Sequence, residues 1–212
     1  PGFIGELMDH CMATAPYPNQ TLAFAGALAL QGFLCGRKLR DGGDNRPNLY
    51  LLALGESGVG KDHPRRLNNA ILRNIGLTHC LGDTFASAEG LQDALASTPA
   101  MLYQTDEIDT LIQSVAKGKD ARYEAIMAAL LTYYSSAASS VPMRRKAGNG
   151  AGMPIDQPHL GIMGSAVPGP FWQSLNARML ANGLVARMLI LEAGQRGAAN
   201  AAIDDGQAME LP

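Results

Sequence analysis

Asn48-Leu-Tyr-Leu-Leu-Ala-Leu54 runs straight into Gly55-Glu56-Ser57-Gly58-Val59-Gly60-Lys61, and these fourteen residues decide how the chain reads. The first seven are a short apolar run bounded by Pro47 and Gly55, the pattern of a strand buried on both faces of a parallel sheet. After the glycines, Leu67, Ile71 and Ile75 recur every fourth residue, which predicts an amphipathic helix over 61–75 closed near Gly76. Pro64 falls early enough in that helix to be tolerated. Strand, glycine loop and helix in this order form the context in which such a loop cradles phosphate. Gly55, Gly58 and Gly60 let backbone N–H groups turn inward, with Ser57 and Val59 between them. The helix start adds the positive end of its dipole, and Lys61 adds a full charge. The alternative is a plain glycine turn followed by a surface lysine.

One position departs from the motif. The residue after the lysine ordinarily carries a hydroxyl that ligates Mg²⁺, and here it is Asp62. A carboxylate is a good oxygen ligand for Mg²⁺, yet it also brings negative charge to a triphosphate site. Two outcomes stand: Asp62 holds the metal directly or through water, or the site is weakened.

Working outward, 4–39 reads as two helices broken at Ala15-Pro16-Tyr17-Pro18, with Asn19 capping a second helix that is nearly apolar all round. A polar loop, 40–47, precedes the first strand. Downstream, a weak strand is expected at 78–81, a helix at 87–95 capped by Ser87, and a strand at 99–105. Helices at 107–116 and 121–134 follow, then an irregular stretch over 135–158. A strand at 159–164, a helix at 170–181, a strand at 186–191 and a mobile tail complete the chain. Strands alternating with helices predict an α/β fold with a mostly parallel sheet covered on both faces. The expected division is an N-terminal helical region (1–47) packed on the core, a nucleotide-binding core (48–195) and a flexible tail (196–212).

The strand at 99–105 ends on Asp106-Glu107. In phosphate-loop ATPases an acid at such a strand end belongs to the Mg²⁺ shell and an adjacent Glu polarises the attacking water. On a helix N-terminus the same pair merely complements the dipole. Ser165, just past the strand at 159–164, is a candidate sensor of the terminal phosphate, or else a helix cap. Arg187, at the start of the last expected strand, is a candidate arginine finger or a salt-bridged surface residue, and Arg178 is a second candidate. Arg144-Arg145-Lys146 is a cationic triplet in a glycine-flanked loop. It suits contact with the backbone of single-stranded DNA, or simply solvates the loop; Lys117 and Lys119 extend the patch.

Composition narrows the field. With 47% hydrophobic and 17% charged residues, the 212-residue chain can bury a sizeable core. A net charge of −2 gives no overall attraction to nucleic acid, so any DNA contact has to be local. Three scattered cysteines and four unclustered histidines show neither a disulfide framework nor a metal motif. The most apolar stretch, 21–35, is too short to span a bilayer, and no signal peptide is visible. The chain begins at Pro1, so it reads as a piece of something longer, from a cytoplasmic protein.

Ala15-Pro-Tyr-Pro-Asn19, Gly36-Arg-Lys38, Arg46-Pro-Asn-Leu-Tyr50, the 55–62 loop, Thr105-Asp-Glu107 and Asn182-Gly-Leu-Val-Ala-Arg-Met188 together resemble the phage and plasmid primase-helicase group of P-loop ATPases. The resemblance covers roughly 12–195. It implies a P-loop NTPase fold of the additional-strand, catalytic-glutamate (ASCE) type, similar to AAA+, RecA-like and superfamily 3 helicase cores. It also implies ATP and Mg²⁺ as ligands, single-stranded DNA as partner, a homo-oligomeric ring (usually a hexamer) and an associated primase domain. Carried over, Lys61 binds phosphate, Asp106 the metal and Glu107 the water; Ser165 senses, and Arg187 acts across subunits. The expected function is an ATP-dependent DNA helicase or translocase. Asp62 keeps open a nucleotide- or DNA-binding assembly module without hydrolysis.

Overall fold

The structure is a computed structural model that describes residues 2–84, 86–106, 108, 121–144, 152–175, 180–201 and 211. Helices α1 (Phe3–Thr14) and α2 (Gln20–Cys35) come first. Asn19 caps α2 as its sequence position predicts, its side chain accepting from the Leu22 N–H at 3.0 Å. Strand β1 (Tyr50–Leu54) leads through the glycine loop into α3 (Asp62–Asn74). Next come β2 (Leu81–Gly82), α4 (Ala88–Ser97), β3 (Ala100–Thr105) and α5 (Ala121–Ser135). A small pair, β4 (Ser140–Val141) and β5 (Ile155–Asp156), precedes β6 (His159–Ala166), α6 (Pro168–Ser174) and β7 (Met188–Glu192).

Five strands form one parallel sheet in the order β2-β3-β6-β1-β7. The fold is therefore α/β, with helices flanking a parallel sheet. Alternate residues of the strands feed two cores, as the period of two dictates. Tyr50, Leu52 and Leu54 of β1 join Met101, Tyr103 and Ile162 under α4, α5 and α6. Leu51 and Ala53 join Leu102 and Met163 on the other face, under α1, α2 and α3. The apolar run at 50–54 is buried along its whole length, because helices cover it on both sides.

Helix α2 lies directly on the sheet, touching β1, β3, β6 and β7, and packs on α3. Gly26 permits that approach: a Cβ there would stand 2.6 Å from the Pro64 Cβ. Helix α3 ends in a Schellman closure, with Leu77 N–H bonded to the Leu72 carbonyl (2.7 Å), Gly76 N–H to Arg73 (3.1 Å), and Gly76 at φ +77°.

Several expectations are corrected. Residues 78–80 form a 3₁₀ turn rather than a strand, and β2 is only the two residues that reach β3. Within 135–158 there is an antiparallel pair that no periodicity announced, its strands being two residues long. Strand β6 runs two residues past the expected 164 and so contains Ser165. Residues 185–187 form a 3₁₀ turn, set by Gly183 at φ +82° and by the Leu184 N–H bonded to Asn182 Oδ1 at 2.9 Å. Arg187 thus ends a turn one residue before β7. The expected helix at 107–116 falls outside the described residues, apart from Ile108.

Among the described residues no helix is long and apolar enough to cross a membrane. The thiols of Cys11 and Cys80 are buried, and burial pushes Cys11 up to about 12, so it stays a neutral core thiol.

Candidate functional site

The site follows from strand register. In a parallel sheet all strands deliver their carboxyl ends to one edge, and ligands of open α/β sheets gather there. Leu54 pairs with Ala166, Ala53 with Ser165, and Thr105 with Gly164. Gly55, Asp106 and Ser165 therefore arrive level with one another. Strand β6, which carries Ser165, stands between the strand before the glycine loop and the strand before Asp106.

The glycine loop leaves β1 with the Gly55 N–H still bonded to the Ala166 carbonyl at 3.0 Å. Gly58 and Gly60 take φ values of +77° and +95°, which side chains rarely adopt. Lys61 is half-buried, and its Nζ donates to the Gly55 carbonyl at 2.9 Å, curling across the mouth of the loop.

Lys61, Asp62, Thr105, Asp106, Gly164 and Ser165 line one cleft, together with Arg65 and Met163. Ser165 Oγ donates to Asp106 Oδ1, a bond across the ends of β6 and β3. The serine does not cap α6, whose N-cap is Val167. Gly164 also shapes this end: a Cβ there would lie 2.7 Å from Ile108 Cδ1, so Ile108 packs close against β6.

Asp62 lies in the first turn of α3 and is paired with Arg65, whose Nε and Nη2 donate to its Oδ1 at 3.0 and 2.5 Å. Arg65 is a cleft residue not anticipated from the motif, although its i,i+3 spacing from Asp62 is a readable signal. Below the cleft, Asn68 of α3 bonds to the Gly26 carbonyl and to Gln104 Oε1, both at 3.0 Å, and Gln104 Nε2 donates to Asn69 Oδ1 at 2.6 Å. This buried polar network ties α3 to β3 and so fixes the glycine loop relative to Asp106.

The remaining expected residues lie elsewhere. The Arg187 guanidinium donates to the Gly183 carbonyl at 2.9 Å and stands 5.7 Å from the centre of the Tyr134 ring. Arg144 is exposed, ion-paired with Glu89 of α4, and its backbone N–H bonds Gln92 Oε1 at 3.3 Å. Glu107, Arg145, Lys146, Arg178, Lys117 and Lys119 lie outside the described residues.

Among the described residues no group of three or more His, Cys, Asp or Glu side chains is arranged to hold a metal ion. Two carboxylates on one cleft nevertheless suit Mg²⁺, which takes one or two protein carboxylates and completes its shell with phosphate oxygens and water. Compared with protein-family models and with curated proteins, the chain matches none.

Proposed function

We propose that the chain is a P-loop NTPase core of the additional-strand type that binds ATP with Mg²⁺ and hydrolyses it to drive movement on single-stranded DNA. The observation that carries the nucleotide part is the cleft uniting Lys61 and Asp62 with Asp106 and Ser165. Also in favour is the place of β6 between the two motif strands, where a residue sensing the terminal phosphate belongs.

In this reading the glycine-loop N–H groups and the start of α3 hold the phosphates, and Lys61 leaves the Gly55 carbonyl for the β- and γ-oxygens. Asp106, oriented by Ser165, and Asp62, clamped by Arg65, would hold the Mg²⁺, which when bound neutralises charge building on the phosphates. Glu107 would orient the attacking water. Arg187 would have to give up the Gly183 carbonyl to reach a neighbouring subunit. Movement along DNA, the ring and a primase partner rest on the sequence resemblance.

A second reading, nucleotide binding without turnover, is favoured by one observation. The side chain in place of the metal-binding hydroxyl is already engaged by Arg65. The test is ATP hydrolysis with Mg²⁺, with and without single-stranded DNA, beside Lys61→Ala and Glu107→Gln. Turnover stimulated by DNA and lost in both variants supports the motor. Tight ATP binding with no turnover supports the second reading.

A further inference from the structure

The Ala15–Asn19 loop between α1 and α2 takes no part in the cleft, yet it lies against the glycine loop. A Cβ on Gly60 would stand 2.7 Å from the Tyr17 carbonyl oxygen. The chain leaving β7 comes to the same place. Arg196 sets its guanidinium 3.6 Å over the centre of the Tyr17 ring, and its Nη1 lies 3.4 Å from where a Cβ of Gly58 would be.

Hydrogen bonds hold this meeting together on both sides. Asn19 Nδ2 donates to the Ala193 carbonyl at 2.8 Å, and the Asn200 N–H donates to the Pro16 carbonyl at 2.8 Å. A second bond from Asn200, through Nδ2, reaches the Ala13 carbonyl at 3.1 Å. Tyr17 is half-buried and so positioned, whereas Arg196 is exposed and free to lift.

An aromatic face and a guanidinium plane are the two surfaces on which nucleic-acid bases stack. Phosphate-binding groups, by contrast, are the loop N–H groups and Lys61. Tyr17 and Arg196 stand beside Gly58 and Gly60 but outside the lining of the acidic cleft. The loop thus has charged, reactive groups in one place and a stacking pair in another, as a molecule with phosphates at one end and a base at the other requires.

We propose that Tyr17 and Arg196 form the nucleoside-binding end of this site, the base of a nucleoside triphosphate entering between the ring and the guanidinium. The inference rests on the nucleotide reading above. Arg196 has to lift by about one stacking thickness, roughly 3.5 Å, which a long exposed side chain allows. Because every base has a stacking face, the pair discriminates nucleotides from bare polyphosphate more than one base from another.

The test is calorimetric titration of the 212-residue chain with ATP, ADP and inorganic tripolyphosphate in the presence of Mg²⁺. Tyr17→Ala and Arg196→Ala should each weaken ATP and ADP on the order of tenfold and leave tripolyphosphate within about twofold. Tyr17→Phe, which keeps the ring face, should bind like the unaltered chain; Arg196→Ala, a surface change, guards against misfolding of Tyr17→Ala. ATP binding unchanged in both alanine variants overturns the nucleoside site and leaves the phosphate reading standing. Equal losses for ATP and tripolyphosphate overturn it too, since the pair then merely supports the loop. An unaltered chain that binds neither ligand overturns both readings.

Discussion

Arg65 grips Asp62 twice on the same oxygen, through Nε at 3.0 Å and Nη2 at 2.5 Å, one turn into the helix that begins at the glycine loop. The pair puts a cation beside the carboxylate that stands where the motif expects a hydroxyl, so the charge Asp62 would bring to the proposed phosphate site is offset locally. Both side chains are partly exposed, 31% for Arg65 and 51% for Asp62, so the pair adds little to stability, about 1 kcal/mol at most.

Arg65→Ala is therefore expected to weaken Mg²⁺·ATP binding by roughly three- to tenfold, as like charge is left facing the phosphates. In an Asp62→Thr background the same change should cost much less. A calorimetric double-mutant cycle checks this; equal losses in both backgrounds would show that Arg65 acts independently of Asp62.

Ser165→Ala removes a hydrogen bond to an acid, an interaction worth about 1.5–3 kcal/mol. If Asp106 belongs to the proposed metal shell, ATP turnover should fall roughly ten- to hundredfold with ATP affinity shifted less than about threefold. Single-turnover kinetics beside binding measurements separate the two. A loss confined to affinity would instead make Ser165 a simple binding group.

Gly60→Ala meets two obstacles, a φ of +95° and the Tyr17 carbonyl oxygen 2.7 Å from the new methyl. Destabilisation of about 2 kcal/mol or more is expected in urea unfolding, with nucleotide binding lost. Gly42→Ala, where nothing lies within 4 Å, is the control and should change stability by less than about 0.5 kcal/mol.

Acid should destabilise the fold through His159. Asn48 Nδ2 donates to the Tyr133 and Pro158 carbonyls, so Asn48 Oδ1 accepts from His159 Nδ1 at 2.8 Å. The other ring nitrogen, Nε2, is buried and has no hydrogen-bond partner among the described residues. Burial, then Arg37, pushes this histidine down to about 4. The unfolded chain takes up the proton near pH 6.5 and the folded one only near 4, so this stability is full above 6.5 and lost as pH falls toward 4. The limiting slope is about 1.4 kcal/mol per pH unit. His63, held low by burial and then by Arg66 and His10, adds the same sign. Urea unfolding at pH 7 and pH 5 should show the loss, and His159→Gln should remove the larger part of it.

The local features were legible because each is written within a few residues. Asn19 and Ser87 cap α2 and α4 through their own side chains, bonding the N–H three residues on. The run at 50–54, the glycine loop and the four-residue recurrence of Leu67 and Ile71 declare strand, turn and helix by composition and period, although Ile75, the third member, falls just past the end of α3 and is exposed. The two-residue strands and the 3₁₀ turns at 78–80 and 185–187 did not show, because such short segments carry no period and take their form from what they pair with.

Sequence alone determined that a glycine loop with a lysine joins an apolar strand to an amphipathic helix, and that Asp106 directly follows a later strand. Backbone torsions, caps and side-chain periodicity act over one or two turns, and a linear reading captures them. Only the tertiary structure decided which residues meet. Parallel register set Ser165 beside Asp106, and packing of the α1–α2 loop brought Tyr17 under Arg196. Such contacts depend on how the sheet and its covering helices pack against one another, a relation that spacing along the chain does not encode.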